Sequence, residues 1–222
     1  GCAAPQQAAP IVSLPQPPSQ KLLHHWVSSG ESLYSIAWRY GLDYRDLARA
    51  NRLAEPYRLQ PGLRLSLDVS AMPASPPTQA RPVSPPPRRP AAPARPAAVA
   101  SGVFNNRWQW PAAGSVARSF NPAVHHQGLS LSGAAGRAVK PAAPGVVVYA
   151  GEGLRGYGKL VIIKHSDLLL SAYGHNARLK VAEGAVVVAD SVIASAGSSG
   201  EVYFEIRRDG RPVDPAKFLP AR

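Results

Sequence analysis

The sequence has few residues that could cross-link a fold or carry it through a membrane. A single cysteine among 222 residues excludes an internal disulfide framework and any metal site built from several thiolates. No stretch approaches the roughly 18 consecutive apolar residues of a membrane-spanning helix, so none of these residues is expected to cross a bilayer as a helix. Acidic residues are also scarce, 13 against 25 lysines and arginines, which gives a net charge of +12.

Proline is abundant instead, and its distribution divides the chain into four segments. Residues 1–20 carry no charge and form a tether of Pro, Gln and Ala, whereas residues 21–67 have few prolines and regular apolar spacing. Residues 68–106 hold ten prolines and are predicted to be a disordered, semi-rigid linker that lets the folded segments act apart from one another. Residues 107–222 alternate short apolar runs with glycine-rich turns.

The basic charge is spread over the chain. It amounts to about +3 in residues 21–67, about +3 in 68–106 and about +6 in 107–222. A nucleic-acid groove concentrates its lysines and arginines on one surface. The distribution therefore argues against a nucleic-acid partner and suits a polyanionic wall or membrane surface, with an affinity that falls as salt rises.

The pattern of residues 21–67 predicts a strand, two helices and a second strand. A strand is expected at 25–27, and Ser32 is placed to cap a helix that Gly41 ends. Asp43 is placed to cap a second helix, and alternating residues predict a strand at 63–67. Such a βααβ unit can bury its helices on one face of a two-stranded sheet.

Three stretches of this unit resemble a LysM domain over its whole length. They are residues 30–37 (GESLYSIA), 47–51 (LARAN) and 59–65 (LQPGLRL). The resemblance implies binding of N-acetylglucosamine-containing glycans, chiefly peptidoglycan, in a shallow groove with two lips. Carried over by position, the glycan-binding residues are Gly30, Glu31, Ser32 and Leu33 on one lip and Tyr57, Arg58 and Leu59 on the other. For Leu33, packing in the core is an equally good interpretation.

Residues 107–222 predict a mainly antiparallel β domain with little helix. Apolar, β-branched or aromatic runs at 146–149, 160–163, 185–188 and 202–206 are separated by glycine-containing turns. Stretches at 108–111 (WQWP), 151–158 (GEGLRGYG), 171–176 (SAYGHN) and 203–207 (YFEIR) resemble a LytM, or lysostaphin-like, domain. Active members of that family are zinc endopeptidases that cut peptidoglycan cross-bridges, with ligands from an HxGxD and an HxH segment and a further catalytic His.

The sequence departs from that catalytic pattern at three positions. His126 and His175 stand where the family has histidines, but Ser130 replaces the Asp ligand. Glu201 and Tyr203 replace both histidines of the HxH segment. A neutral hydroxyl or a phenol with a pKa near 10 is a poor substitute for these ligands. The sequence therefore predicts no bound metal, no cofactor and no catalysis, with a zinc endopeptidase using a non-standard site as the alternative.

A LysM unit joined to a degenerate LytM domain resembles the NlpD-like group of bacterial envelope lipoproteins, to which EnvC is related. The resemblance implies a non-catalytic activator of periplasmic N-acetylmuramoyl-L-alanine amidases, which promotes septal wall cleavage as daughter cells separate. A purely structural glycan-binding tether is a further alternative. Cys2 follows Gly1 as in a lipoprotein cleavage junction. We therefore expect a lipid anchor on Cys2 in the outer membrane, facing the periplasm, with a free cysteine in a tail as the other interpretation.

The groove that corresponds to the catalytic site of active LytM members is then expected to bind a regulatory helix of the amidase. Its predicted residues are His126, Ser130, His175, Glu201, Tyr203 and Arg207, flanked by Tyr157 and Arg155 of the glycine-rich loop. Alternation along a strand puts Arg207 on the same face as Tyr203, where it either pairs with a carboxylate of the partner or pairs internally with Glu205 or Glu201. Because no long helical insertion is present, any cover over the groove would have to be a loop or the proline-rich linker.

Overall fold

The computed structural model describes residues 23–70 and 108–221. Cys2, the tether at 1–20 and most of the linker predicted at 68–106 lie outside the described residues. The expected lipid anchor and linker therefore stay predictions. Within the described ranges, no helix is long and apolar enough to span a membrane.

The first described segment has the predicted βααβ order. Its elements are β1 (His24–Trp26), α1 (Leu33–Tyr40), α2 (Tyr44–Ala50) and β2 (Arg64–Ser66). The two strands pair antiparallel, with His25 opposite Leu65. Leu33, Ile36 and Leu47 of the helices share one hydrophobic cluster with Leu65 of the sheet.

Local sequence sets the ends of both helices. The Ser32 side chain accepts a hydrogen bond from the backbone N–H of Ser35, and Gly41 ends α1 in the left-handed conformation that glycine adopts without strain. Asp43 caps α2 by accepting from the backbone N–H of Arg45. The predicted caps are therefore confirmed.

The second described segment is a single antiparallel sheet of ten strands. The strands are β3 (Ser115–Arg118), β4 (Leu129–Ser132), β5 (Ala138–Val139), β6 (Gly145–Gly151), β7 (Lys159–Lys164), β8 (Leu169–Leu179), β9 (Val186–Val187), β10 (Ala194–Ala196), β11 (Val202–Arg208) and β12 (Arg211–Val213). Their main order is β3-β4-β11-β8-β7-β6-β9, with β12 paired to β11, and β10 paired to β5 and β8. Two short 3-10 helices lie at Pro122–Val124 and Pro215–Lys217.

The sequence pattern predicted the sheet but not its longest strand. The runs at 146–149, 160–163 and 202–206 fall within β6, β7 and β11, whereas the run at 185–188 forms only the two-residue β9. The eleven-residue β8 lies between β7 and β11 and pairs with both. Its Gly174, His175 and Asn176 interrupt the apolar pattern, which is why alternation did not reveal it.

Alternation along β11 gives the sheet two different faces. Val202, Phe204 and Ile206 point into the main core of the β domain and are fully buried. The intervening residues, among them Glu205 and Arg207, point to the opposite face. Residues of β7 and β8 on that second face join the hydrophobic cluster of the first domain.

The two folded segments pack against each other, contrary to the expectation that they act apart. Leu160, Ile162 and Leu170 of the β domain belong to the same buried cluster as Leu33 and Trp38 of α1. The linker composition carries no information about this contact, because it results from complementary surfaces on residues far apart in sequence.

Candidate functional site

Tyr203 lies at the centre of the groove predicted from the sequence. It stands opposite Ser130 in the pairing of β11 with β4. Its ring centroid is 5.7 Å from that of His126, 6.0 Å from that of His175 and 5.5 Å from that of Tyr157. The fold therefore brings together groove residues that were predicted from four separate stretches of the sequence.

His126 is held in the groove wall with one ring nitrogen unused. Its side chain is buried, and Nε2 finds no hydrogen-bond partner among the described residues. Burial lowers the pKa of His126, and the nearby positive charge of Arg118 lowers it further. The imidazole is therefore neutral at neutral pH.

His175 and Glu201 form the open end of the groove. His175 Nδ1 lies 3.8 Å from a carboxylate oxygen of Glu201, and the two side chains are 37% and 39% exposed. His175, within β8, adopts a left-handed backbone conformation with φ at 61°. Both groups remain available to a partner.

A fully buried carboxylate, that of Glu205, organises the groove floor. It accepts hydrogen bonds from the hydroxyls of Tyr203 at 2.8 Å and Tyr157 at 3.2 Å, and from Arg207 Nε at 2.7 Å. Burial, followed by the charge of Glu205, raises the pKa of Tyr203 well above its ordinary value and that of Tyr157 to about 12. Both phenols therefore stay protonated and act as donors.

Arg207 is committed to contacts within the chain. It pairs with Glu205, donates to the backbone carbonyl of Trp38 at 2.7 Å, and its guanidinium carbon lies 3.9 Å from the centroid of the Trp38 ring. A further nitrogen lies 3.4 Å from the side-chain oxygen of Gln127. Of the two alternatives for Arg207, the structure has the internal pair with Glu205.

A cavity of about 680 Å³ continues the groove between the two domains. Arg155 and Tyr157, predicted as flanking residues, lie on its β-domain side, and Arg155 is exposed. The first domain supplies Trp38, Arg39, Tyr40 and Gly41.

The first predicted glycan lip is largely engaged by its own protein. Glu31 pairs with His25 at 2.7 Å and with Arg39 at 2.6 Å. Ser32 caps α1, and its hydroxyl donates to the backbone carbonyl of Val148 in the β domain at 3.1 Å. Leu33 is fully buried, which corrects its place among the glycan contacts and favours core packing.

The second lip remains more open. Tyr57 packs edge-on against Tyr34 of α1, with ring centroids 6.2 Å apart. Arg58 and, on the first lip, Gly30 are exposed, whereas Leu59 is half-buried.

Three residues of this region were absent from the predicted site, namely Trp38, Gln127 and Glu205. Alternation gave a signal for Glu205, which lies between Tyr203 and Arg207 on one strand face. There was no comparable signal in the sequence for Trp38 and Gln127, because only tertiary packing brings them into contact with Arg207.

Comparison with protein families identifies the family of each folded segment. Residues 25–68 match the LysM domain, and residues 124–215 match peptidase family M23. The chain is 40% identical to the lipoprotein NlpD/LppB homolog of Pseudomonas aeruginosa over 88% of its own length and 76% of that protein. The chain belongs to the NlpD/LppB family. It is also 33% identical to the murein hydrolase activator NlpD of Escherichia coli, over 88% of this chain and 67% of that protein.

A solved structure described as a putative peptidase M23 from Pseudomonas aeruginosa is 27% identical to this NlpD/LppB member. The similarity covers 53% of this chain and 52% of the chain in that structure, with a TM-score of 0.47.

Two of the three ligand positions that the LytM resemblance implies hold side chains unlike those of a zinc site. His126 offers a neutral nitrogen, but Ser130 and Tyr203 offer only a buried hydroxyl and a protonated phenol. Zinc in proteins is held by thiolate, imidazole and carboxylate ligands. Across residues 23–70 and 108–221, no three His, Cys, Asp or Glu side chains are grouped so as to hold a metal.

Proposed function

We propose that this protein is a non-catalytic activator of periplasmic N-acetylmuramoyl-L-alanine amidases. Its LysM domain binds peptidoglycan, and a lipid on Cys2 holds it at the outer membrane of a Gram-negative envelope. Support comes from the family, whose members include proteins named murein hydrolase activator and lipoprotein. The observation that carries the proposal is a preserved groove whose ligand positions hold Ser130 and Tyr203.

The groove suits a protein partner better than a catalytic metal. Tyr203 presents an aromatic ring between His126 and His175, a surface of the kind that anchors protein interfaces. Glu201 and Arg155 place one charge of each sign at its accessible margins. A helix with apolar and charged faces would find both kinds of contact here.

Activation is then a shift between two states of the amidase. The groove must bind the open amidase more tightly than the autoinhibited one, since only that difference displaces the equilibrium. The amidase's own catalytic site performs the hydrolysis, and this chain contributes binding free energy.

A dye-release assay with purified wall and candidate amidases tests the proposal. The wild-type protein should stimulate an amidase and release no dye alone. Tyr203→Ala and Glu201→Lys should reduce stimulation several-fold. Asp190→Lys makes the same charge change at a side chain that is 94% exposed and absent from the groove, and it should match the wild type. If no amidase responds, or if the protein alone cleaves wall, the proposal is wrong.

Glycan binding by the LysM domain has its own test. Arg58→Ala removes an exposed cation from the second lip and should weaken sedimentation with purified peptidoglycan. Arg64→Ala removes an exposed cation from β2 and should leave sedimentation with peptidoglycan unchanged. Equal binding by the two variants would contradict the assignment of the second lip.

A further inference from the structure

The β domain carries an apolar face that the LysM domain covers. Leu160 and Ile162 of β7, with Leu170 and Ala172 of β8, are buried in the cluster formed with the LysM helices. This face is continuous with the groove floor, because Ala172 stands opposite Glu205 in the pairing of β8 with β11. The groove and the LysM contact thus occupy one side of one sheet.

Polar contacts surround this apolar contact. Arg45 of α2 pairs with Asp209 at 2.6 Å. Arg39 donates to the carbonyl of Gly153 at 2.8 Å. With the Arg207–Trp38 contact, they fix one orientation of the domains.

Gly210 shows how closely the domains approach. A Cβ added at Gly210 would lie 2.6 Å from the backbone nitrogen of Asp43 and 2.7 Å from the carbonyl carbon of Leu42. The turn between β11 and β12 can meet the LysM domain in this way because residue 210 has no side chain.

The docked arrangement obstructs two surfaces at once. Trp38 covers Arg207 at the end of the groove that faces the LysM domain. At the same time Ser32, on the first glycan lip, is bonded to Val148. Tyr57 of the second lip is packed against the same hydrophobic cluster as Val148.

We infer that the LysM domain is a cover for the groove, and that the glycan it binds displaces it. The inference rests on the proposed function, because it requires that the lips bind glycan and the groove binds a partner. A sugar chain lying at the start of α1 needs the surface that β6 now contacts. Glycan binding and docking are therefore mutually exclusive at Ser32, and wall contact exposes the Arg207 end of the groove.

This inference replaces the expectation that any cover would be a loop or the proline-rich linker. The coupling is thermodynamic: glycan binds the undocked state more tightly and shifts the population by that difference. By reciprocity, a partner that binds the whole groove also raises the affinity of the LysM domain for glycan.

Thiol labelling of the full chain tests the cover without an amidase. Leu170→Cys in a Cys2→Ser background places one thiol at a position that the LysM domain buries. A soluble oligomer of N-acetylglucosamine, added at saturation, should raise the labelling rate with a maleimide several-fold. Calorimetry of the same mixture reports whether the sugar binds.

A substitution at Gly210 should open the cover without sugar. Gly210→Asn tolerates the left-handed backbone but clashes with the LysM domain, so labelling should be fast without glycan and insensitive to it. Gly136→Asn is the matched control, because Gly136 has nearly the same φ, +72° against +71°, and open space around its Cβ.

Each outcome decides the inference. Glycan-dependent labelling of the Leu170→Cys chain supports it, even if no amidase responds, in which case the proposed activation alone fails. Sugar binding with unchanged labelling overturns it. Absence of sugar binding overturns it also, since the displacing ligand would not exist.

Discussion

Arg207 joins the two domains by placing its guanidinium over the Trp38 ring. Its guanidinium carbon is 3.9 Å from the indole centroid, while one of its nitrogens donates to the Trp38 carbonyl at 2.7 Å and another pairs with Glu205. A residue for which the sequence left two alternatives, a partner carboxylate or an internal pair, thus connects the groove floor to the LysM domain. The same contact makes groove access depend on domain arrangement.

Removing the Arg207 charge should destabilise the protein strongly. Arg207→Met keeps an unbranched chain against Trp38 but leaves the buried Glu205 carboxylate without its cation, so we expect a loss of about 3–5 kcal/mol. Arg178→Met, at an exposed position on β8, should change stability by less than about 0.5 kcal/mol. Urea unfolding followed by circular dichroism measures both, and equal midpoints would contradict the prediction.

Stability should fall in mild acid because of His165. This buried side chain contacts the carbonyl of Pro144 and the hydroxyl of Ser171, and burial lowers its pKa to about 4 from an ordinary value of 6.5. Between those pH values the unfolded chain binds the extra proton, so stability is complete above pH 6.5 and declines towards pH 4. The expected loss is roughly 3 kcal/mol.

His165→Gln provides the comparison for this pH effect. The variant has no imidazole to titrate, so its free energy of unfolding should depend less on pH over that window, although it is lower at pH 7. Urea titrations at pH 7.5, 5.5 and 4.5 give the two slopes. Parallel slopes would assign the acid sensitivity to other groups.

Restoring the missing ligands should create a zinc site. Ser130 and Tyr203 stand opposite each other, and beside them His126 Nε2 has no hydrogen-bond partner within residues 23–70 and 108–221. Ser130→Asp with Tyr203→His supplies a carboxylate and an imidazole, and we expect about one zinc per chain by elemental analysis. Ser130→Asn with Tyr203→Phe is the control without ligating groups. Equal zinc content in the two double variants would refute the proposed ligand positions.

Asn51 should contribute much of the LysM domain's local stability. Its side chain donates to the carbonyls of Leu47 and Ser66 at 2.8 Å each and accepts from the Ser66 N–H at 2.7 Å, which ties the end of α2 to β2. Asn51→Ala should cost about 2–3 kcal/mol because it leaves these groups unpaired. Arg64→Ala, exposed on the same strand β2, is the control in the same urea titration. A change below about 0.5 kcal/mol for Asn51→Ala would disprove this role.

Features set by short-range physics could be predicted. Ser32 and Asp43 cap their helices as expected, because a cap needs only a polar side chain two or three residues from an unpaired N–H. The shared face of Tyr203 and Arg207 follows in the same way from the two-residue repeat of a strand. The departure from the catalytic pattern of the LytM family was visible directly in the residue types at 130, 201 and 203.

Features that depend on contacts between residues distant in sequence could not be predicted. The sequence pattern placed the apolar Leu33 on a helix. Its complete burial, and the obstruction of the first lip at Ser32, depend on the β domain. The sequence allowed either a partner's carboxylate or an internal carboxylate for Arg207. The tertiary packing decided this, because it places Arg207 between Glu205 and Trp38.

The sequence by itself determined two domain classes and the ends of the helices, since each depends on composition or on spacing within one element. Only the tertiary structure decided that the LysM domain lies on the groove side of the sheet. That arrangement depends on the fit between an apolar face on β7 and β8 and a helix surface more than 100 residues away in the chain, with Gly210 admitting the close approach. No local pattern encodes such complementarity, because neither surface is distinguishable from an ordinary core until the other is placed against it.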